Sequence, residues 1–391
     1  LISHINKFLI FFNLFFLQSY LIRFEIEGIS LNLQIILIAL NAAFFLTWII
    51  QKKSLIQTIK NLKNHWVILS FLGLTIFSIL TTQTPINKDL IRYVIFLSQA
   101  LIFSFIALET LKTPEQRKKL IQIGALGAIL FGLFSFNYNL LGFNPTHDHR
   151  LLGPLDSAVY LAFYLAPFLI FFAIELLKNP KNKNYLLNII ILTILLVLTK
   201  SMGSIAATFL VISLFLFRKL NKKQKSILAL TIAIIFALIF YTKILPSFSS
   251  KWTSLNERGE IWQTSYELIK EPKTALLGLG FGQFQPTYDS QAAQLLNHAP
   301  LDFKVLQPHN IFFLFILNYG ILGLALLITI IVKLIISFTK KEASFAHFII
   351  LYFILHGLID TPFFKNDLLI LLILFLELAY LSPATKSSKT E

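Results

Sequence analysis

His309 stands between Pro308 and Asn310, immediately before a long apolar run. Histidine titrates nearest neutrality among the side chains, which suits it to general-base work. A lone histidine at a helix boundary more commonly caps the helix or sits at an interface, and residue type alone does not separate these roles. Arg258 falls in the first turn of a predicted helix, where a cation opposes the helix dipole. That position calls for an anionic partner, either a bound anion or one of Glu257, Glu260 and Glu271. Arg150 closes the loop Asn144-Pro145-Thr146-His147-Asp148-His149-Arg150 at the edge of another apolar run. It can snorkel to the interface, pair with Asp148 or Asp156, or hold an anion. His356 and Asp360 lie one helical turn apart and can pair with each other or with an arginine from the long loop. The trio His147, Asp148 and His149 suggests a metal, but adjacent side chains diverge and no further ligand follows. A structural or solvated role is expected there, and no metal site.

These residues are carried on a membrane framework. Hydrophobic residues are 56% of the 391 and charged residues 14%, far from the balance of a soluble domain. Apolar stretches near twenty residues recur along the chain, the length that crosses a bilayer as a helix. Spans are expected at about 5–22, 31–50, 65–82, 91–110, 120–142, 156–177, 226–245, 310–336, 343–359 and 367–382. The first reads as a retained span, since no small-residue cleavage site follows it. The stretch 185–217 would be roughly 50 Å long as one helix, too long for a single crossing. Basic clusters flank it on both sides, so it must cross twice, with Thr199-Lys200-Ser201-Met202-Gly203-Ser204 at the hairpin tip. The fold expected is all-α, one transmembrane domain over residues 1–391 with about twelve helices and one large extracytoplasmic loop at 246–308.

The net charge of +15 lies in short clusters between the spans, a pattern of cytoplasmic loops rather than of a nucleic-acid surface. Both termini are placed in the cytoplasm by that bias. The absence of cysteine excludes disulfides, thiolate catalysis and cysteine metal sites. The long loop keeps aromatic residues, among them Trp252, Trp262, Tyr266, Phe281, Phe284, Tyr288 and Phe303, so it should fold against the membrane domain. Within it, Ser254-Leu255-Asn256-Glu257 fits a capping box, and a helix should run from there to about Lys270, stopping at Glu271-Pro272. Leu277-Gly278-Leu279-Gly280-Phe281-Gly282 then reads as a turn; it has no strand–turn–helix context for a dinucleotide.

Taken in order, Arg258-Gly259-Glu260-Ile261-Trp262, Glu271-Pro272, the glycine-rich run to Gln283-Phe284, His309-Asn310 and Gly320-Ile321-Leu322-Gly323-Leu324 resemble the O-antigen ligase/polymerase family. Arg150-Leu151-Leu152-Gly153-Pro154 and His356-Gly357 with Asp360 look like further elements of it. The resemblance covers the chain from Arg150 onward; before that it is hydropathy alone. One departure stands at the hairpin tip, where Ser201-Met202-Gly203 replaces the family's Ser-Arg-Gly and Lys200 is the nearest cation. The resemblance implies a metal-independent, inverting glycosyltransferase without cofactors, embedded in a bacterial inner membrane with its site on the extracytoplasmic face. It implies a donor glycan on an undecaprenyl-type pyrophosphate and a lipid, glycan or protein acceptor. His309 would be the base, Arg150, Arg258 and Lys200 would hold the pyrophosphate, and Asn310, His356 and Asp360 would support them. A guanidinium fork suits a departing pyrophosphate. No Asp-x-Asp motif or nucleotide domain points to a cytosolic nucleotide-sugar donor. The rival reading is a transporter or flippase of lipid-linked glycan, which would line the membrane midplane with charge.

Overall fold

A computed structural model describes residues 1–26, 29–82, 85–144, 146, 148–218, 220–221, 223–224, 226, 254–303 and 305–381. Among these, fifteen α-helices carry the architecture. They are α1 (Ile2–Phe15), α2 (Leu33–Gln51), α3 (Leu55–Asn61), α4 (Trp66–Thr81), α5 (Lys88–Thr110), α6 (Pro114–Leu140), α7 (Ala158–Lys178) and α8 (Lys183–Leu198). There follow α9 (Met202–Phe217), α10 (Ser254–Lys270), α11 (Pro272–Leu277), α12 (Phe284–Leu296), α13 (Ile311–Thr339), α14 (Phe345–Gly357) and α15 (Asn366–Tyr380).

The bundle is built around α7 and α15. Nearly every side chain of α7 from Leu161 to Ile174 is buried, and so is α15 from Leu368 to Leu376. A helix apolar on all sides belongs inside a bundle rather than on its rim. α5, α14 and α9 pack around this pair, and α1 packs between α2 and α6. Lipid tails are as apolar as leucine, so dispersion and polar ties rather than water exclusion set these contacts. One such tie closes one end of the bundle: buried His65 lies 2.7 Å from Glu377 of α15 and 3.3 Å from Glu109 of α5. The opposite end, where α14 finishes and α15 begins, holds the residues considered below.

Among the described residues five helices, α2, α5, α6, α7 and α13, are long and apolar enough to cross a membrane; a sixth span results if α3 and α4, bent by 83°, count together. The chain is thus a multi-pass helical membrane protein. Among the described residues that criterion does not reach the expected total of about twelve. α1, α8, α9 and α14 are apolar but only 13–16 residues long. At 1.5 Å per residue such helices fall short of a ~30 Å core. The expected span 226–245 and Trp252 lie outside the described residues. The first expected span also differs: its helix ends at Phe15, and a 3-10 turn, Leu17–Leu21, leads into an antiparallel hairpin pairing Arg23–Ile26 with Ile29–Asn32. The break falls where the chain turns polar, and Gln18 there donates to Asp367 of α15 at 2.9 Å. The stretch 185–217 does divide into two helices, α8 and α9, parted at residues 199–201, but both pack on α7 rather than tightly against each other as a hairpin would.

The loop helices dock on α13 at a break. Gly320 departs from helical geometry at φ 62°, ψ −153° inside the otherwise helical run. A Cβ there would come 2.1 Å from the carbonyl oxygen of Leu276. Only glycine admits both that conformation and that approach. The chain leaving α11 uses the opening: Leu279 N–H donates to Leu317 O at 2.7 Å, and Gly282 N–H to Asn318 Oδ1 at 2.9 Å. Phe281 then enters the main core and stacks on Tyr319. Ile261, Leu268, Phe284, Tyr288, Ala292, Val305 and Leu317 form a second apolar cluster beneath the loop.

Candidate functional site

Asn310 fixes the start of α13. Its Oδ1 accepts from the N–H groups of Phe312 and Phe313, satisfying two of the helix's orphan donors. Its Nδ2 donates to Leu358 O at 3.0 Å, just past the end of α14. One asparagine therefore clamps the first turn of α13 to the last turn of α14. His309, held at φ 49°, is turned by that clamp towards Asp360. Left-handed backbone at a non-glycine residue is strained and persists only where the surroundings enforce it.

Asp360 is the hub of the cluster. Its Oδ1 lies 2.8 Å from His309 Nδ1 and accepts the N–H of Thr361. Its Oδ2 accepts from Arg258 Nη2 at 3.1 Å. Its own N–H donates to His356 O, continuing the helical turn by one residue. Burial alone would raise the Asp360 carboxyl. The His309 hydrogen bond and the charges of His309, His356 and Arg258 outweigh it and hold the carboxyl well below the usual range.

Arg258 reaches Asp360 from α10, one of the two long helices of the loop. Its Nη1 donates to the carbonyl and hydroxyl oxygens of Ser254, while its buried Nε has no partner. The expected glutamate partners do not take it. The helix itself follows expectation, ending at Lys270 before Pro272; Ser254 lies inside it, and the residue preceding it is outside the described set. His356 is almost wholly buried, stacked on Tyr352, and its Nδ1 has no hydrogen-bond partner. Its carbonyl accepts the Asp360 N–H, and its ring makes no hydrogen bond to that carboxylate.

Arg150 and Lys200 form a separate group at the α8–α9 tip. Arg150 Nε lies 3.1 Å from Asp148 Oδ2, and its Nη2 donates to Lys200 O at 3.2 Å. Lys200 Nζ donates in turn to Asp148 O. The loop is strapped there by Leu151 N–H on Leu198 O. Lys200 thus stands beside Arg150, while Met202 at the family's arginine position is exposed. This tip packs on the end of α14: a Cβ at Gly203 would lie 2.5 Å from Ile359 Cδ1 and 3.6 Å from His356 Cδ2. Arg258 and His309 meet on one carboxylate; Arg150 makes no contact with either. His147 lies outside the described residues. Among those described, no group of three His, Asp or Glu residues is placed to hold a metal ion.

His309 and Asp360 also line a cavity of about 640 Å³ whose other walls come from distant elements. Arg23 of the hairpin, Arg92 and Tyr93 of α5, Tyr160 of α7 and Lys365 before α15 face it. None of these was singled out from the sequence. Arg92 and Lys365 are each the kind of charge that merits notice at a span's edge. Nothing local, however, reveals that hairpin, α5, α7 and α15 converge.

A bundle of apolar helices with a carboxylate–imidazole–guanidinium cluster at one end defines a multi-pass membrane protein with a polar cluster where its helices end. Residues 187–328 match a family model described as O-antigen ligase, a segment that holds the α8–α9 tip, Arg258, His309 and the break in α13. Over that segment the chain is similar to the O-antigen ligase/polymerase family, whose general activity is glycan ligation or polymerisation. No curated protein matches the chain.

Proposed function

We propose that the protein transfers a glycan from an undecaprenyl-pyrophosphate-type carrier to an acceptor hydroxyl, on the extracytoplasmic face of a bacterial inner membrane. The observation that supports this reading best is the bridge made by Asp360 between His309 and Arg258. A carboxylate on Nδ1 fixes the imidazole so that Nδ1 carries the proton and Nε2 faces outward as base. Nε2 takes the proton of the acceptor hydroxyl as its oxygen attacks the anomeric carbon. The carbon–oxygen bond to pyrophosphate breaks, and the lipid pyrophosphate leaves with the electron pair, inverting the centre. Arg258, with Arg150 and Lys200 at the neighbouring tip, offsets the charge that gathers on the leaving group. Pyrophosphate is already a good leaving group, so this scheme assigns the chain no metal. The transporter reading finds no support here: the site cluster sits where helices end, and the buried charges around His65 close the opposite end. The test is to reconstitute the full chain with lipid-pyrophosphate glycan and follow transfer to candidate lipid, glycan and protein acceptors. Transfer lost in His309→Ala with donor binding kept is the expected result; normal turnover in that variant removes the base assignment.

A further inference from the structure

The end of the bundle away from His309 carries a helix turned inside out. α3 is entered from α2 through Lys53, held at φ 52°, with the N–H and hydroxyl of Ser54 both on Ile49 O. It is left through His65, which Glu109 and Glu377 tie into the bundle, and the chain bends there by 83° into α4. Fixed at both ends, α3 runs across the end of the bundle rather than along it. Its polar side is the one turned to the protein: Asn61 Nδ2 donates to Glu109 Oε2 at 3.0 Å, and Gln57 donates to Asn61. No residue of α3 is buried, and Leu55, Ile56 and Ile59 are exposed, Ile56 by 70%. A helix on a soluble domain turns such a stripe to the core. The reverse arrangement suits a helix lying in the lipid–water boundary. Tryptophan, enriched at that boundary, flanks α3 on both sides, as Trp48 in the last turn of α2 and Trp66 at the start of α4.

The charges around α3 are unbalanced as well. Lys52, Lys53, Lys60 and Lys63 are exposed, and none has an ion-pair partner among the described residues. The acids beside them are already engaged, Glu109 by Lys112 and His65, Glu377 by His65 and the N–H of Ile68. Lys333 of α13 adds a further exposed ammonium, 4.6 Å from the centre of the Trp66 ring. We infer that α3 and these lysines form a docking surface for anionic phospholipid. The apolar side chains enter the acyl boundary, and the ammonium groups reach along their stems to headgroups of net negative charge. A zwitterionic headgroup leaves the excess cations unbalanced. The surface is independent of the transferase reading.

The experiment gives the purified full chain phosphatidylglycerol and phosphatidylcholine in equal amounts and counts the retained lipids by native mass spectrometry. Wild type should keep phosphatidylglycerol in about fivefold preference. The combined variant Lys52→Gln, Lys53→Gln, Lys60→Gln and Lys63→Gln should bring the two within about twofold, and arginine at the same four positions should restore the preference. All four side chains are exposed, so the fold should survive, and a thermal melt checks it. Placement is read separately. The chain has no cysteine, so a nitroxide on Ile59→Cys reports from one position. In bilayers of the same two lipids it should be relaxed more by oxygen than by a water-soluble nickel complex. The inference is overturned if wild type shows no preference, if the glutamine variant keeps it, or if the arginine variant fails to restore it. A nitroxide reached mainly by nickel would put α3 in water, and one shielded from both reagents would mean that a second copy covers this face; either result also overturns it.

Discussion

Asp360 Oδ1 lies 2.8 Å from His309 Nδ1 across 51 positions of sequence, while Oδ2 of the same carboxylate holds Arg258. Imidazole and guanidinium are therefore held by the two oxygens of one carboxylate. A carboxylate charge beside Nδ1–H orients the ring and stabilises an imidazolium formed when Nε2 takes a proton.

Asp360→Asn keeps the shape and removes that charge. Transfer should fall by about 10²- to 10⁴-fold, with donor affinity changed far less. Asp360→Ala should cost more than activity, because it strands the half-buried guanidinium of Arg258; roughly 1–3 kcal/mol of stability is at stake. Steady-state kinetics and thermal melts of the two variants separate these effects. Equal activity in wild type and Asp360→Asn would leave the carboxylate as a purely structural anchor.

Arg258→Lys is the sharper probe of the arginine. A lysine can meet Asp360 but cannot also offer a planar fork to a phosphate. Arg258→Lys should thus keep the melting temperature near wild type while donor use falls at least tenfold, and Arg258→Ala should lower both. A lysine variant with wild-type donor kinetics would remove Arg258 from the pyrophosphate.

Asn310→Ala tests the clamp between α13 and α14. Losing an N-cap of this kind costs about 0.5–2 kcal/mol. The bond to Leu358 O goes as well, so His309 should lose its fixed approach to Asp360. The expected signature is a lowered kcat with donor and acceptor KM little changed, as for a positioning residue. A change in KM alone would assign Asn310 to binding instead.

Which parts could be read without coordinates follows from how local each signal is. The α10 helix, its stop before Pro272 and the break between α8 and α9 each depend on a handful of neighbouring residues, and the structure has them. The partner of Arg258 was legible only as one of several, because Asp360 and Glu260 are equally acidic in sequence; the fold decided it. The break at Gly320 was invisible for the opposite reason. Hydropathy sees an uninterrupted apolar run from Ile311, whereas the backbone there answers to Leu276, 44 positions earlier. The cavity was out of reach altogether, since its walls come from the N-terminal hairpin, α5, α7 and the start of α15.

Gly320→Ala should be among the most damaging single-methyl changes in the protein. The added Cβ meets backbone, not a side chain that can swing away. The φ of 62° adds strain of about 1–3 kcal/mol to that clash. The loop should undock from α13, exposing residues 276–282 to protease while the bundle stays helical by circular dichroism. Asn318→Ala, which removes the acceptor for Gly282 N–H without adding bulk, should give a milder form of the same exposure. Protection from protease in Gly320→Ala would mean that α13 tolerates a straight path there.

The depressed Asp360 carboxyl also sets where pH should and should not matter. A group whose folded-state value lies below its unfolded value of about 3.9 contributes stability above that value and loses it as pH falls through the folded one. Its contribution is therefore constant through neutral and mildly acidic conditions. His309→Ala removes the hydrogen bond and charge that come first among the causes lowering this carboxyl, so in that background the difference in melting temperature between Asp360 and Asp360→Asn should begin to shrink at a higher pH than it does with His309 present. The same pH dependence in both backgrounds would show that Arg258 alone keeps the carboxylate ionised.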